Sequence, residues 1–323
     1  MSRRLRRAAG LVLAVAVAGT AVFAQPRSAD RATLDYRLEA RALAPGVYVV
    51  EGANADFAPA NGCNIINTGF VVADDGVLVV NTGPSRRYGE QLRALIERTT
   101  PRPIRAVLHL NLHPDYFLGN QAFADVPRYA TAATLAGMHA EARAYEDNLY
   151  RTCGDWMKGT EAMLPDRVLA DDATTLPVGA GRFELRHWQG HTASDLVLID
   201  RASRTAFAGG LVFAERVPTT PHARLEPWLA SLAQLAREPG IDRLVPSHGP
   251  AARGRDGLAQ TQAYLRWLDR SFTAAATQGR EMTELLAQPA PSPFRDWAAF
   301  ATEYPRNVAH LYPAYEQRAL LSR

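Results

Sequence analysis

An apolar run, Ile104 to Leu110, breaks directly into Asn111-Leu-His-Pro-Asp-Tyr116. The run has the length and composition of a buried strand. The loop after it sets an imidazole, His113, and a carboxylate, Asp115, two residues apart, and both are metal-ligand chemistries. A strand that delivers such a pair constrains the fold more than any other stretch of the chain.

The flanking sequence alternates strands and helices. Gly46-Val-Tyr-Val-Val reads as a strand. Asn64 to Val72 and Val77 to Val80 read as a hairpin around Asp74-Asp75-Gly76. Ser85 is placed to cap a helix through Glu97. Thr131 to Tyr150 has helical spacing, and residues 151–166 read as a loop or lid. Short strands are expected at 182–188, 194–200, 204–208 and 242–246, with helices over about 226–237 and from Leu258 to Thr277. This order indicates an α/β sandwich. Residues 25–43 read as a loose lead-in, 44–284 as one domain and 285–323 as a C-terminal helical extension.

The first 24 residues carry Arg3, Arg4, Arg6 and Arg7, then an apolar stretch to Phe23 and Ala24. That is the layout of a secretory signal peptide cut after Ala24, with an uncleaved anchor as the alternative. A periplasmic or secreted protein is expected. Without those residues, 32 basic side chains face 33 acidic ones. Such a balance gives no electrostatic case for nucleic acid as a partner. No later segment is apolar enough to span a bilayer. The two cysteines, Cys63 and Cys153, would meet oxidising conditions after export, where a disulfide, two buried thiols or a thiol near the site are all open.

The loop at 111–116 resembles the His-x-His-x-Asp-His loop of the metallo-β-lactamase superfamily, with Asn111 and Tyr116 at the first and last His positions. Four further frames resemble that superfamily in chain order: Val79-Val80-Asn81-Thr82-Gly83, Gly190-His191-Thr192, Phe207-Ala208-Gly209-Gly210-Leu211 and Val245-Pro246-Ser247-His248-Gly249. Stretches such as Gly83-Pro-Ser-Arg-Arg-Tyr-Gly-Glu, Arg216-Val-Pro-Thr-Thr-Pro-His-Ala and Arg306-Asn-Val-Ala-His are similar to the quinoprotein relay system zinc metallohydrolases. The resemblance implies a four-layer αββα sandwich. It also implies a periplasmic setting beside alcohol oxidation by quinoprotein dehydrogenases, one of which becomes a candidate partner.

It further implies where zinc would sit. The positions of Asn111, His113 and His191 would hold one ion, those of Asp115, Tyr116 and His248 a second, and Gly210 stands at the bridging carboxylate. A hydrolytic zinc needs about three protein ligands and a water. His113, Asp115, His191 and His248 remain as candidate metal ligands, two per subsite, and Asp115 is the candidate catalytic residue. Asn81 replaces an outer carboxylate. One zinc or none is expected, and not two.

The leading expectation is a member with weakened or lost zinc hydrolase activity that takes a small molecule or a protein partner. The alternatives are an active one-zinc hydrolase of an ester, thioester, lactone or amide, and a non-catalytic binding or accessory protein for a periplasmic quinoprotein dehydrogenase. Among the other histidines, His109 and His187 read as core or strand residues, His222 as a pocket residue, and His139 and His310 as surface or packing residues. The intact frames suggest that Gly210→Asp, Asn111→His, Tyr116→His and Asn81→Asp together would rebuild a two-metal site.

Overall fold

The computed structural model describes residues 29–321, so the expected leader lies outside the described residues. Seven strands form the first sheet, in sequence order: β1 (Arg41–Ala44), β2 (Val47–Val50), β3 (Thr68–Ala73), β4 (Gly76–Val80), β5 (Ile104–Leu108), β6 (Arg128–Thr131) and β7 (Arg167–Leu169). Five form the second, in the order β12-β11-β10-β9-β8: β8 (Phe183–Trp188), β9 (Asp195–Asp200), β10 (Thr205–Phe207), β11 (Arg243–Val245) and β12 (Ala252–Arg253). The helices are α1 (Arg86–Thr99), α2 (Pro114–Phe117), α3 (Ala132–Cys153), α4 (Leu225–Arg237), α5 (Asp256–Thr277), α6 (Met282–Leu286) and α7 (Phe300–Leu321).

Period two in the strands explains the layering. In β4, Val77 and Val79 join the cluster under α1 and α3, while Leu78 and Val80 face the other way. Those two meet Leu185, Leu196, Leu198 and Phe207 of the second sheet in a central apolar layer. Val197, Ile199, Ala206 and Leu244 point to the far side, where α4, α5 and α7 cover them. Three apolar layers therefore separate four structural ones, an αββα sandwich as the resemblance implied.

Ser85 caps α1, its hydroxyl accepting from Tyr88 N at 3.1 Å. The lead-in is tied down rather than loose: Tyr36 is buried, and its hydroxyl meets Ser85 Oγ at 2.8 Å and Gly62 O at 3.0 Å. The expected lid at 151–166 is partly helix. α3 runs on to Cys153, and the following turn buries Trp156 and Met157 in the core. Cys63 and Cys153 form a disulfide, with Cα atoms 6.0 Å apart. It fastens the segment after β2 to the end of α3.

Helix α7 packs against α5 and adds Val308, Leu311 and Tyr312 to the outer core. Just before it, Ala298 bridges to Arg216. Among the described residues no helix is long and apolar enough to cross a membrane.

Candidate functional site

The strand ends deliver the polar residues to one rim. Asn81 follows β4 with φ of 60°, a left-handed conformation that Asn tolerates better than most residues. Its Oδ1 accepts from Leu110 N at 3.1 Å and so braces the start of the 111–116 loop. His113 precedes α2, whose first residue is Pro114, and Asp115 lies in its first turn. His191 sits between β8 and β9. His248 follows β11 and stacks on Phe213, with ring centroids 5.0 Å apart.

His113, Asp115, His191 and His248 all line one cavity of about 270 Å³, together with Tyr116. Sequence reasoning missed the outer part of the lining, hereafter the outer wall: Asp56, Arg216, Glu303, Arg306 and His310. The signal was present in the Arg216 and Arg306 stretches, but neither contains a metal-ligand pattern. His310 is exposed, as expected of a surface residue, yet it also lines the cavity mouth, its Nδ1 3.2 Å from Thr220 Oγ1. His222 packs against His113, ring centroids 5.3 Å apart, and its buried Nδ1 has no partner. His109 is fully buried, with Nδ1 3.1 Å from Tyr116 O, and His187 bonds Ala173 O from its strand. His139 is exposed on α3.

Asn111 is the hub of the inner shelf. Its Nδ2 donates to Asp195 Oδ1 at 2.6 Å and lies 3.3 Å from His191 Nδ1; its Oδ1 accepts from His113 N at 3.1 Å. The amide orientation follows from these partners, because the carboxylate can only accept from it. The second amide hydrogen is left between His191 Nδ1 and Thr192 Oγ1, the latter 3.4 Å away. His191 Nε2 faces Thr219 Oγ1 at 3.4 Å. Asp195 Oδ2 also accepts from His191 N and Thr192 N, both at 3.0 Å. Burial still raises the Asp195 carboxyl to about 7, against those hydrogen bonds.

Gly210 makes this shelf possible. A β-carbon at 210 would lie inside van der Waals contact of His191 Nδ1 and 2.8 Å from Asn111 Nδ2. The space that a bridging ligand's side chain would take holds the Asn111–His191 contact instead. Asn111, His191 and Gly210 thus fit one another at this point. The four-residue reversal expected to rebuild a two-metal site would first have to turn His191 out of that space.

On the other side of the cavity floor, His248 Nε2 faces Asp115 Oδ2 at 3.2 Å. Val212 O already accepts from Ser247 N at 2.8 Å, so the Ser247 hydroxyl, 2.9 Å from His248 Nδ1, is free to donate to that nitrogen. His248 Nε2–H then donates to the Asp115 carboxylate, the ordinary neutral tautomer. Burial lowers the imidazoles of His113, His191 and His248, to about 3 for His191. For His113 the neighbouring His191 adds to it, and for His248 the nearby Arg216 does.

These residues do not fit the zinc arrangement as they stand. The Asn111 oxygen and both His191 nitrogens are already engaged, and Asp115 and His248 are hydrogen-bonded to each other. Tyr116 is buried with its hydroxyl pushed far above its ordinary range by burial, so it supplies no phenolate. Among the described residues, no group of three or more His, Cys, Asp or Glu side chains is arranged to hold a metal ion.

A family profile described as the metallo-beta-lactamase superfamily matches residues 61–248. Among solved structures, the chain is similar to a metallo-beta-lactamase from Pontibacter korlensis, at 24% identity and TM-score 0.56, over 71% of this chain and 99% of that one. It is similar to one from Hirschia baltica at 22% identity and TM-score 0.56, over 71% and 97%. The mono-zinc form of FIM-1 from Pseudomonas aeruginosa aligns at 19% identity and TM-score 0.57, over 72% and 96%. A comparison with curated protein sequences finds no match.

Proposed function

The chain belongs to the metallo-β-lactamase superfamily, and we propose that within it this protein has turned the zinc hydrolase site into a binding pocket for a small molecule. Zinc hydrolysis is weak or lost on this reading. One observation carries it: Asn111, in place of a zinc-binding imidazole, is locked between Asp195 and His191 in the space that Gly210 leaves open. A ligand position whose donor atoms are all satisfied by the protein has nothing to offer a metal without breaking those bonds first. The setting proposed is the periplasm, as a protein of the quinoprotein-relay type that serves a quinoprotein dehydrogenase. The Cys63–Cys153 disulfide favours such an oxidising compartment.

Elemental analysis of the mature protein, purified without a metal-binding tag and mildly chelated, tests this reading. Less than one zinc per chain is expected. Two firmly held zinc ions would sink it.

A second reading is a one-zinc hydrolase, in which Asp115 orients the attacking water. It is favoured by the shared cavity of His113, Asp115, His191 and His248. One tight zinc per chain, together with ester or lactone hydrolysis abolished by Asp115→Asn, would establish it.

A further inference from the structure

Arg216 is the largest polar side chain that the site described so far leaves unused. It is fully buried and lines the cavity beside Asp115 and His248. Its Nε donates to Ala55 O at 3.1 Å, while Nη1 and Nη2 have no hydrogen-bond partner. Glu303, Asp56 and Asp115 stand close enough to favour its charge, but Arg306 Nη1 engages Glu303 Oε1 at 2.8 Å and Asp56 Oδ2 at 3.4 Å, and His248 faces Asp115 Oδ2 at 3.2 Å. A buried guanidinium with both terminal nitrogens unpaired is a large desolvation cost. No hydrogen bond offsets it at those two atoms.

The unpaired atoms have a pattern. The lining holds a forked cation with two unpaired donors. It also holds His113 Nε2 and Tyr116 Oη, both buried and without hydrogen-bond partners. With Nε spent on Ala55, the free edge is the end-on pair Nη1–Nη2, whose spacing matches the two oxygens of a planar carboxylate. A cavity of about 270 Å³ lies just under the roughly 300–1,000 Å³ typical of drug-sized ligands, so the ligand is small.

We infer that the Nη1–Nη2 edge of Arg216 anchors the carboxylate of a small organic acid, whose remaining polar groups meet His113 and Tyr116. The inference rests on reading the cavity as a metal-poor binding pocket. Arg216 is then retained for the ligand and not for stability. The competing account is structural: Arg216 would hold Glu303 and Asp56 in place.

The test uses the full mature chain after chelation, with thermal shift and calorimetric titration. The probes are acetate, glycolate and lactate, with lactamide as the uncharged isostere of lactate and inorganic phosphate as the tetrahedral anion. Lactate or glycolate should bind and raise the melting temperature, and lactamide should not. Arg216→Met should weaken that binding roughly tenfold or more, while the ligand-free variant melts at the same or a higher temperature. Arg216→Lys keeps the charge but loses the fork, and should restore only part of the affinity.

Several results would overturn the inference: no response to any carboxylate, an equal response to lactamide, a stronger response to phosphate, or lactate binding that survives Arg216→Met. A ligand-free Arg216→Met protein that melts lower and still binds lactate would establish the structural account. If Arg216→Met fails to fold, the wild-type contrast between lactate and lactamide still decides. Zinc content measured on the same samples separates the two claims. Tight zinc with an Arg216-dependent lactate response would sink the metal-poor reading and leave the carboxylate anchor standing.

Discussion

The inner shelf of the cavity and its outer wall are built on opposite plans. On the shelf, Asn111, His191 and Asp195 satisfy one another, and Gly210 supplies the room. On the wall, Arg216 is just as deeply buried but ends in two donors that nothing accepts. Self-satisfied polar groups stabilise a fold and have little left for a ligand. Unsatisfied buried ones destabilise it, and their cost is recovered when a partner arrives. Under the proposed function, the contrast assigns the remaining binding capacity to the wall.

The largest test of that contrast is pH. Burial lowers the imidazoles of His109, His113, His191 and His248, to about 3 for His109 and His191. Below about 6.5 the unfolded chain takes up protons there that the folded one refuses, so these groups make stability fall as pH drops. Asp195, raised to about 7, and Glu303, also raised by burial, act in the opposite sense, because their folded forms hold protons that the unfolded ones release. The lowered imidazoles, His310 among them, outnumber the two raised carboxyl groups, and each net proton is worth about 1.4 kcal/mol per pH unit, so stability should fall from about pH 6.5 downward. Urea titrations across that range should show the loss. A flat profile would mean that water reaches the shelf, and the contrast would fail.

Reducing the disulfide comes next. Cys63 and Cys153 are 90 residues apart, and closing such a loop stabilises by about 4–5 kcal/mol in the chain-entropy picture. Cys63→Ser should lose up to that amount. Hydrogen exchange should rise first around Asp56 and Phe57, which belong to the cavity rim. Mass spectrometry of the unreduced protein should find no free thiol.

Much of this was legible in the sequence, and the limits are physical. The strand and helix order follows from periodicity and caps. The four candidate ligands could be named because each stands in a frame of turn glycines and apolar strand residues. Asn111 and Gly210 could be recognised as departures from the pattern, but their coupling could not. It depends on where the His191 ring lies, a contact between residues 80 positions apart from Asn111. Arg216, Glu303 and Arg306 escaped for a similar reason. An arginine in a Val-Pro-Thr-Thr loop looks solvated until α7 is seen to close over it, and nothing in local composition says that it will.

Gly210→Ala should disturb the shelf without touching the wall. The added methyl enters the Asn111–His191 space, and overpacking of this kind costs about 1–3 kcal/mol. Lactate binding at Arg216 should change little, provided that the variant stays folded at the titration temperature. A loss of lactate affinity as large as that of Arg216→Met would show the two regions to be one unit.

The finest test is the coupling between positions 111 and 210. Asn111→Ala removes a donor from Asp195 and the contact to His191, a change of about 1–3 kcal/mol for a buried partner left short of a hydrogen bond. If Gly210 serves only to make room for that contact, a methyl at 210 has less to displace once Asn111 is gone. His191 can then turn into the space that the amide vacated. The double variant should therefore be less damaged than the two single losses added together, by roughly 0.5–1 kcal/mol, within the usual range for residues in contact. Strict additivity in denaturant melts would mean that Asn111 and Gly210 act independently, and the reading of the shelf as a single fitted unit would be wrong.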